Sequence, residues 1–468
     1  MAELTITEQV YLKMKADIVC GKYEIVKDLP AILELCELFH VGRNTMRHAL
    51  RLLEEDGLIK QEKGRNARVI FDLNKRENRA MYEEMLYGRL PSIAAVFDTM
   101  EYILPTIAQE AINRASDEDI AYLYHMADSL KDKQFHTSSE LMNALMEIYS
   151  YAFSLLNNVY VSSLFTQMMD FILVAVPDYS LRKNEFQKNM AFIGNMLSVI
   201  LKAILKKDSK VLKKTIKYLI HTISKKTQSY IQRIIDEEKT TFHPMPFYWY
   251  YEKEALYQNV IIDIFMDIHN GVYLKHKELP SLEQLAKKQN VSLRTSRKAI
   301  EVLNHYGIVK TVNGIGSYVN YDAFKKDDFL KNPEVKQNLK QFIDALSALQ
   351  LCIKGFGPAF IKKISEDDLS KLIDVMEHQK RKIITPMVEL LFQRNTCLSE
   401  IYRVLNKQLV WFMYLNYFYS FDNKENEYYA YYQLLLEHLK AHHMKKVYEL
   451  LCEMMETSIY FVKQIYLS

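Results

Sequence analysis

Adding 250 to a residue number carries this chain from one segment onto a second that repeats it without a gap. Gly21 and Tyr23 become Gly271 and Tyr273, and Leu29-Pro30 becomes Leu279-Pro280. Val41, Thr45, Arg47, Ala49 and Leu53 become Val291, Thr295, Arg297, Ala299 and Leu303. Gly57, Lys60, Gly64 and Val69 become Gly307, Lys310, Gly314 and Val319. Turn, core and arginine positions kept in register over about fifty residues mark an internal duplication. Whatever small fold the first copy adopts, the chain must therefore build twice. Eight of the 12 glycines lie in these copies, four in each, so the remainder is poor in turn formers and favours long helices.

Within the first copy, residues 6 to 20 place Val10, Met14 and Ile18 on one helical stripe, with Gly21 as the stop. Pro30 suits the first turn of a second short helix, whose apolar positions are Leu33, Leu35, Cys36, Leu38 and Phe39. A tight link through His40 and Val41 leads into a third helix ending at Gly57. Then LIKQEKGRNARVIF reads as a hairpin, with strands Leu58–Ile59 and Val69–Phe71 around a Lys63–Asn66 turn. Helix, helix, turn, helix, hairpin is the order of a winged helix-turn-helix. In the third helix Met46, Ala49, Leu50 and Leu53 face a core, while Arg43, Asn44, Arg47, His48 and Arg51 fall opposite with no acid between Arg43 and Arg51. An apolar inner face and an arginine-rich outer face suit base and phosphate contacts in a major groove, although a solvated surface helix has the same look.

Both copies resemble the DNA-binding domain of the GntR family of bacterial transcription regulators. The resemblance rests on LPAILELCELFHVGRNTMRHALRLLEEDGLI and LPSLEQLAKKQNVSLRTSRKAIEVLNHYGIV, followed by the hairpins EKGRNARV and VNGIGSYV. It covers residues 6–72 and 256–322 and implies that recognition-helix arginines and a wing glycine contact DNA. By position these are Arg43, Arg47 and Gly64 in the first copy, and Arg297 and Gly314 in the second. Around them we place Asn44, Thr45 and His48 on the first helix, Arg65 as a phosphate contact beside the wing, and Arg294, Thr295, Lys298 and Ser317 in the second copy. The copies depart from the pattern in different places. Leu33 and Glu283 stand where the family often has arginine, and Leu293 replaces the arginine found at Arg43. Asn66 replaces a wing glycine, a change its tolerance of left-handed backbone would absorb. Gly42 is a weaker N-cap than Ser292. The first head is expected to read bases better; the second binds DNA weakly or serves in structure.

The segments after each head, 74–240 and 325–468, are rich in Met, Leu and Tyr and helical in period, and they too look like copies. Ser116 to Asp119 and Ser365 to Asp368 are matching capping-box starts, and SYAFSLLNN from Ser150 corresponds to SEIYRVLNK from Ser399. The run AINRASDEDIAYL resembles the start of the all-α effector domain in the FadR-like branch of the same family, where an Asp and three His often hold a metal. Asp132 and His136 imitate the first pair and His221 lies near the last, but only apolar candidates surround Leu197, so a helix-surface pair is the better reading. His438 and His442, four apart, lack an evident third ligand. The aromatic run in HPMPFYWYYEKEALY, from His243, reads as a linker able to pack the second head on the preceding bundle.

Composition excludes several classes. A net charge of +3 gives no bulk attraction to nucleic acid, so any DNA binding must be local. The five cysteines show no CxxC pairing and suit a reduced cytoplasmic compartment. The N-terminal residues lack signal-peptide layout, and no apolar run reaches membrane-spanning length. No phosphate loop, nucleophile elbow or HExxH appears, and an aminotransferase-like partner domain would need glycine-rich α/β turns that are missing. The expected fold class is mainly α: a winged helix-turn-helix with a small β-hairpin wing plus an all-α helical bundle, in tandem duplication. The expected division is a head at 1–73, helices at 74–240, a second head at 241–323 and helices at 324–468. The expected function is a non-enzymatic, sequence-specific transcription regulator, a repressor by preference, without cofactor or metal and without membrane attachment. Its partners are a double-stranded DNA operator and, through the helical segments, a small-molecule effector or another subunit. A homodimer and a single chain that mimics a dimer both remain open, as does an interaction scaffold in which one or both heads have lost DNA binding.

Overall fold

The computed structural model describes residues 5–23, 25–130, 138–172, 183–238, 244–251, 256–269, 272–273, 278–320, 333–378, 384–419 and 425–467. The chain divides into two compact units, Met1–Lys253 with Asn395–Glu400, and Glu254–Arg394 with Ile401–Ser468.

In the first unit, α1 spans Ile6–Val19 and is opened by a reciprocal cap: the Thr5 hydroxyl accepts from Glu8 N, and the Glu8 carboxylate accepts from Thr5 N at 2.7 Å. Val10, Met14 and Ile18 are buried as their spacing requires. Helix α2 covers Ile32–Leu38, so Pro30 precedes it instead of opening it. The cause is the wing: Leu29 N donates to Ala67 O at 2.7 Å and Asp28 bridges to Arg68, which holds the stretch before Pro30 extended. Seven residues can bury only one side, and Leu33 and Leu38 are exposed while Leu35 and Phe39 are buried, against the sequence expectation for the first two. Helix α3, Arg43–Glu55, packs Met46, Ala49, Leu50 and Leu53 on α1 and ends at Gly57, whose φ of 71° is the left-handed turn that favours glycine.

The wing strands are β1, Ile59–Lys60, and β2, Arg68–Val69, paired antiparallel with Ile59 opposite Val69. Leu58 and Phe71 lie just outside the ladder, buried. Asn66 is not left-handed: reversal is completed at Gly64, with φ of 80°, so Asn66 returns to ordinary backbone. The helices that follow are α4 (Arg79–Arg114), α5 (Asp117–Asp128), α6 (Ser138–Ser154), α7 (Val159–Ile172), α8 (Lys183–Leu205) and α9 (Ser209–Glu238). Helix α4 is 36 residues long, carries Pro91 and Pro105 inside, and packs along α9. Ser116 caps α5 reciprocally with Asp119, as its spacing predicts.

The second unit opens with α10 (Leu256–His269), α11 (Leu282–Lys288), α12 (Leu293–His305), β3 (Val309–Val312) and β4 (Gly316–Val319), again an antiparallel wing, with Val309 opposite Val319. Its strands are four residues each where those of the first head are two. Helices Pro333–Phe360, Glu366–His378, Thr385–Phe392, Thr396–Tyr419 from Ile401 onward, Glu425–Lys440 and Met444–Leu467 complete it. Their core includes Phe356 edge-on to Phe392 at 4.9 Å, and the buried Tyr432 hydroxyl donates to Met376 O at 2.7 Å. The matching cap at Ser365 is present, its hydroxyl accepting from Asp368 N. No described helix is long and apolar enough to cross a membrane.

Candidate nucleic-acid interface

Helix α3 is amphipathic at single-residue resolution. Arg43, Asn44, Arg47 and His48 are exposed and Thr45 is half-buried, while each residue facing inward is buried. Its first turn has no acid, and Gly42 supplies an extended N-cap without a side-chain hydrogen bond. The helix N-terminus, with its partial positive charge, is thus left open beside Arg43 and Arg47. Among the described residues, Arg43, Arg47 and His48 make no side-chain hydrogen bond or ion pair. Other cations of the head are engaged. Arg51 lies 3.6 Å from Glu55, Arg68 donates to Asp28 at 2.9 Å, and Arg65 is 3.3 Å from Glu62 at the wing tip. These are exposed pairs, weak enough for a phosphate to displace.

The wing is fixed to the end of α3 by the Glu54 carboxylate, which accepts from Gln61 N at 2.7 Å and from the Gln61 amide at 3.0 Å. In the second head the same positions are Asn304 and Thr311. Asn304 accepts from Thr311 N at 2.9 Å, and its amide donates to the Thr311 hydroxyl at 2.7 Å. Ser317, expected at the DNA surface, is tied across the hairpin to Thr311, hydroxyl to hydroxyl at 2.8 Å. Thr295 likewise serves the cap, its N–H donating to the Ser292 hydroxyl at 3.1 Å. Arg294, Arg297 and Lys298 are exposed, in the same burial pattern as Asn44, Arg47 and His48. Gly314, at φ 75°, turns the second wing as Gly64 turns the first, and a Cβ at either would meet nothing within 4 Å.

The first head is seated on its helical neighbours by a buried ionic cluster. Asp17, 2% exposed, pairs with Lys13 and lies 3.8 Å from Lys22, which also reaches Asp170 of α7 at 2.7 Å. Arg89 of α4, 1% exposed, donates to the Phe171 carbonyl and stacks on its ring at 4.7 Å, leaving Nε without a partner among the described residues. Burial opposes ionisation of Asp17, but Lys13, Lys22 and Arg89 outweigh it and hold its carboxyl below the usual carboxylate range. Over this cluster runs the aromatic strap. Met245 N donates to Gly88 O at 2.9 Å, Phe247 meets Phe171 edge-on at 5.4 Å, and the buried Trp249 donates to Ser163 at 3.0 Å. Tyr250 N donates to the Gln167 amide oxygen at 2.8 Å, its hydroxyl reaches Gln9 O at 3.2 Å, and its ring meets Phe39 at 5.5 Å. The strap thus touches both the first head and α7. Spacing could not show the cluster, because its members come from three separate stretches; the lone arginine in the apolar run around Gly88-Arg89-Leu90 was the available signal.

The metal candidates fare differently. Asp132 and His136 lie outside the described residues. His221 Nδ1 is 2.9 Å from Glu101. His438 faces His443, Nδ1 to Nδ1 at 3.3 Å, instead of pairing with His442. Among the described residues no group of three metal-ligating side chains is present.

A cation-faced recognition helix beside a glycine-turned hairpin, on a three-helix core, defines each head as a winged helix-turn-helix. Residues 6–69 and 256–319 each match the profile described as bacterial regulatory proteins, gntR family, and the chain carries two domains of that family. It is 28% identical over 129 residues to an Exu regulon transcriptional regulator of Escherichia coli, covering 28% of this chain and 50% of that protein. To a galactonate operon transcriptional repressor of Escherichia coli it is 29% identical over 123 residues, covering 25% of this chain and 52% of the relative. The chain spans about half the length of these curated relatives. Among solved structures, a Streptococcus agalactiae GntR protein covers 47% of this chain and 99% of its own at 19% identity, with a TM-score of 0.23.

Proposed function

We propose that the chain is a sequence-specific DNA-binding transcription regulator, acting as a repressor in the cytoplasm and without catalysis of its own. The observation that carries this reading is the face of α3, where exposed Arg43 and Arg47 stand free of acids at an open helix N-terminus. Such arginines pair bidentately with the O6 and N7 edge of guanine, each worth about 1–3 kcal/mol of discrimination. Asn44, Thr45 and His48 lie within the same surface, and Arg65 at the wing tip follows phosphate. The names of the curated relatives, a transcriptional regulator and a transcriptional repressor, support the class. On this reading the heads are residues 1–73 and 241–323. The helical segments 74–240 and 324–468 sense a small-molecule effector or hold subunits together. With two heads in one chain, a monomer supplies what two subunits supply elsewhere, and the operator is asymmetric.

Selection from random oligonucleotides with the full chain gives the site; titration of that site with Arg47→Ala then tests the role. We expect specific binding to fall by at least tenfold with an unchanged circular dichroism spectrum. Undiminished affinity would remove the recognition role from α3.

A further inference from the structure

We infer that the second head reads an A·T-rich half-site, with Leu293 packed on thymine methyl groups in the major groove and Ile315 on the floor of the minor groove. The inference rests on the proposed DNA-binding role and departs from the expectation that this head is merely weaker. Helix α12 buries Ser296, Ala299, Ile300 and Leu303, the positions equivalent to those α3 buries, so Leu293 occupies the place of Arg43. The wing turns also match: Ile315 N donates to Val312 O at 3.1 Å, as Arg65 N donates to Glu62 O at 3.1 Å. On this shared frame Arg43, Glu62 and Arg65 are replaced by Leu293, Val312 and Ile315, which are 48%, 36% and 62% exposed.

The exposed Leu293 stands on a helix that carries three cations close by in sequence. Arg294, Arg297 and Lys298 flank Leu293 in sequence, and among the described residues they make no ion pair or side-chain hydrogen bond. An exposed leucine on a helix whose neighbouring cations make no ion pair matches thymine methyls between phosphates better than a neutral protein groove. Leucine offers no hydrogen bond, so against guanine or cytosine it would leave polar groups dehydrated and unpaired. Thymine alone presents an apolar group, its C5-methyl, in the major groove. In the minor groove only a G·C pair carries the amino group of guanine N2, which an isoleucine would bury without an acceptor. Apolar wing tips therefore favour A·T pairs there too.

The test uses the full chain and its selected site. Footprinting identifies the half-site lost on Arg297→Ala and the one lost on Arg47→Ala. Replacing thymines of the Arg297-dependent half-site by deoxyuridine removes only the C5-methyl. We expect wild-type affinity to fall about fourfold for each methyl in contact. Leu293→Ala should bind more weakly and be indifferent to the deoxyuridine, and Leu293→Arg should shift that half-site toward guanine on reselection. Wild-type indifference to deoxyuridine, or a guanine requirement in that half-site, would overturn the inference and leave the regulator reading standing. So would a Leu293→Arg change seen only in molar mass by light scattering, which would assign the face to a protein partner. A selection that enriches no sequence would remove the regulator reading itself.

Discussion

Asp17→Asn is the substitution that asks most of the seat of the first head. The carboxylate is 2% exposed and sits among Lys13, Lys22 and Arg89, so an asparagine of the same shape leaves three cations facing only Asp170, itself shared with Lys22 alone. Removing one partner of a buried ion pair costs about 3–5 kcal/mol, because the remaining charge stays dehydrated. With a urea dependence of roughly 3 kcal/mol per molar, the unfolding midpoint should fall by about 1 M. Fluorescence can follow it, since Trp249 is buried in the first unit and a Trp411→Phe background silences the other tryptophan. The pH dependence has a definite sign. A carboxyl held below its ordinary value stabilises the fold above its unfolded pKa of about 3.9, and that contribution is lost as pH falls through the lower folded value. Wild type and variant should therefore differ fully at pH 7 and converge in acid. Arg89→Met is the counterpart. It keeps Lys13 and Lys22 balanced by Asp17 and Asp170 but strips the Phe171 carbonyl and ring of their cation, so it should cost about 1–3 kcal/mol, less than Asp17→Asn. A midpoint shift below about 0.3 M for Asp17→Asn, or equal shifts for the two variants, would show that the cluster is not dry.

Two further outcomes are expected. Ser296, fully buried where the first head has Met46, has a hydroxyl without a partner among the described residues, so Ser296→Ala should stabilise the second unit by about 1–2 kcal/mol, raising its calorimetric melting temperature by roughly 2–6 °C; a lower temperature would refute the orphaned hydroxyl. Tyr250→Ala strips the strap's ring from Phe39 and should cost about 1–3 kcal/mol, with faster amide exchange in α1 to α3 but not in α4, whereas Tyr250→Phe, which keeps the ring and gives up the bond to Gln9 O, should cost under about 1 kcal/mol. Equal exchange in both variants would mean that the strap does not hold the head.

What the sequence made legible was local or repeated. The capping box at Ser116, the hydroxyl cap at Ser365, the glycine turns at Gly57 and Gly64, and the burial of Met46, Ala49, Leu50 and Leu53 each follow from spacings of a few residues, and the second copy confirmed their register. The errors arose where tertiary contacts overrode local preference. Pro30 reads as a helix opener until Leu29 is found bonded to Ala67 of the wing, and Leu33 and Leu38 read as core until a seven-residue helix is seen to have one buried side. The cluster around Asp17 was illegible because Asp17, Arg89 and Asp170 are brought together only by packing of α1, α4 and α7. For Ser296 the signal existed, since a serine opposite Met46 in the repeat predicts a polar group in a dry core. Ser317 and Thr295, expected at the DNA surface, also bond within the frame, hydroxyl to hydroxyl with Thr311 and Ser292.

The two heads keep one geometry by different means, and the differences are of two kinds. One kind trades stabilising devices. The first head has Met46 in its core and Ala31 and Gly42 at its helix starts; the second has Ser296 in its core but Ser281 and Ser292 as true caps, and a longer hairpin clamped by Asn304, Thr311 and Ser317. A capping hydroxyl in place of alanine contributes about 0.5–2 kcal/mol, which offsets much of what a buried, unpaired serine hydroxyl costs. The other kind lies at the surface, where Arg43, Glu62 and Arg65 give way to Leu293, Val312 and Ile315. Loss of function without constraint would be expected to erode the frame and the neighbouring cations together with the readout positions. Instead Gly314 still turns the wing, the N-cap is stronger, and Arg294, Arg297 and Lys298 remain exposed. A frame maintained while these surface positions change polarity is what separate half-site preferences would require, and it supports the proposal that the second head is a different reader and not a failed copy of the first.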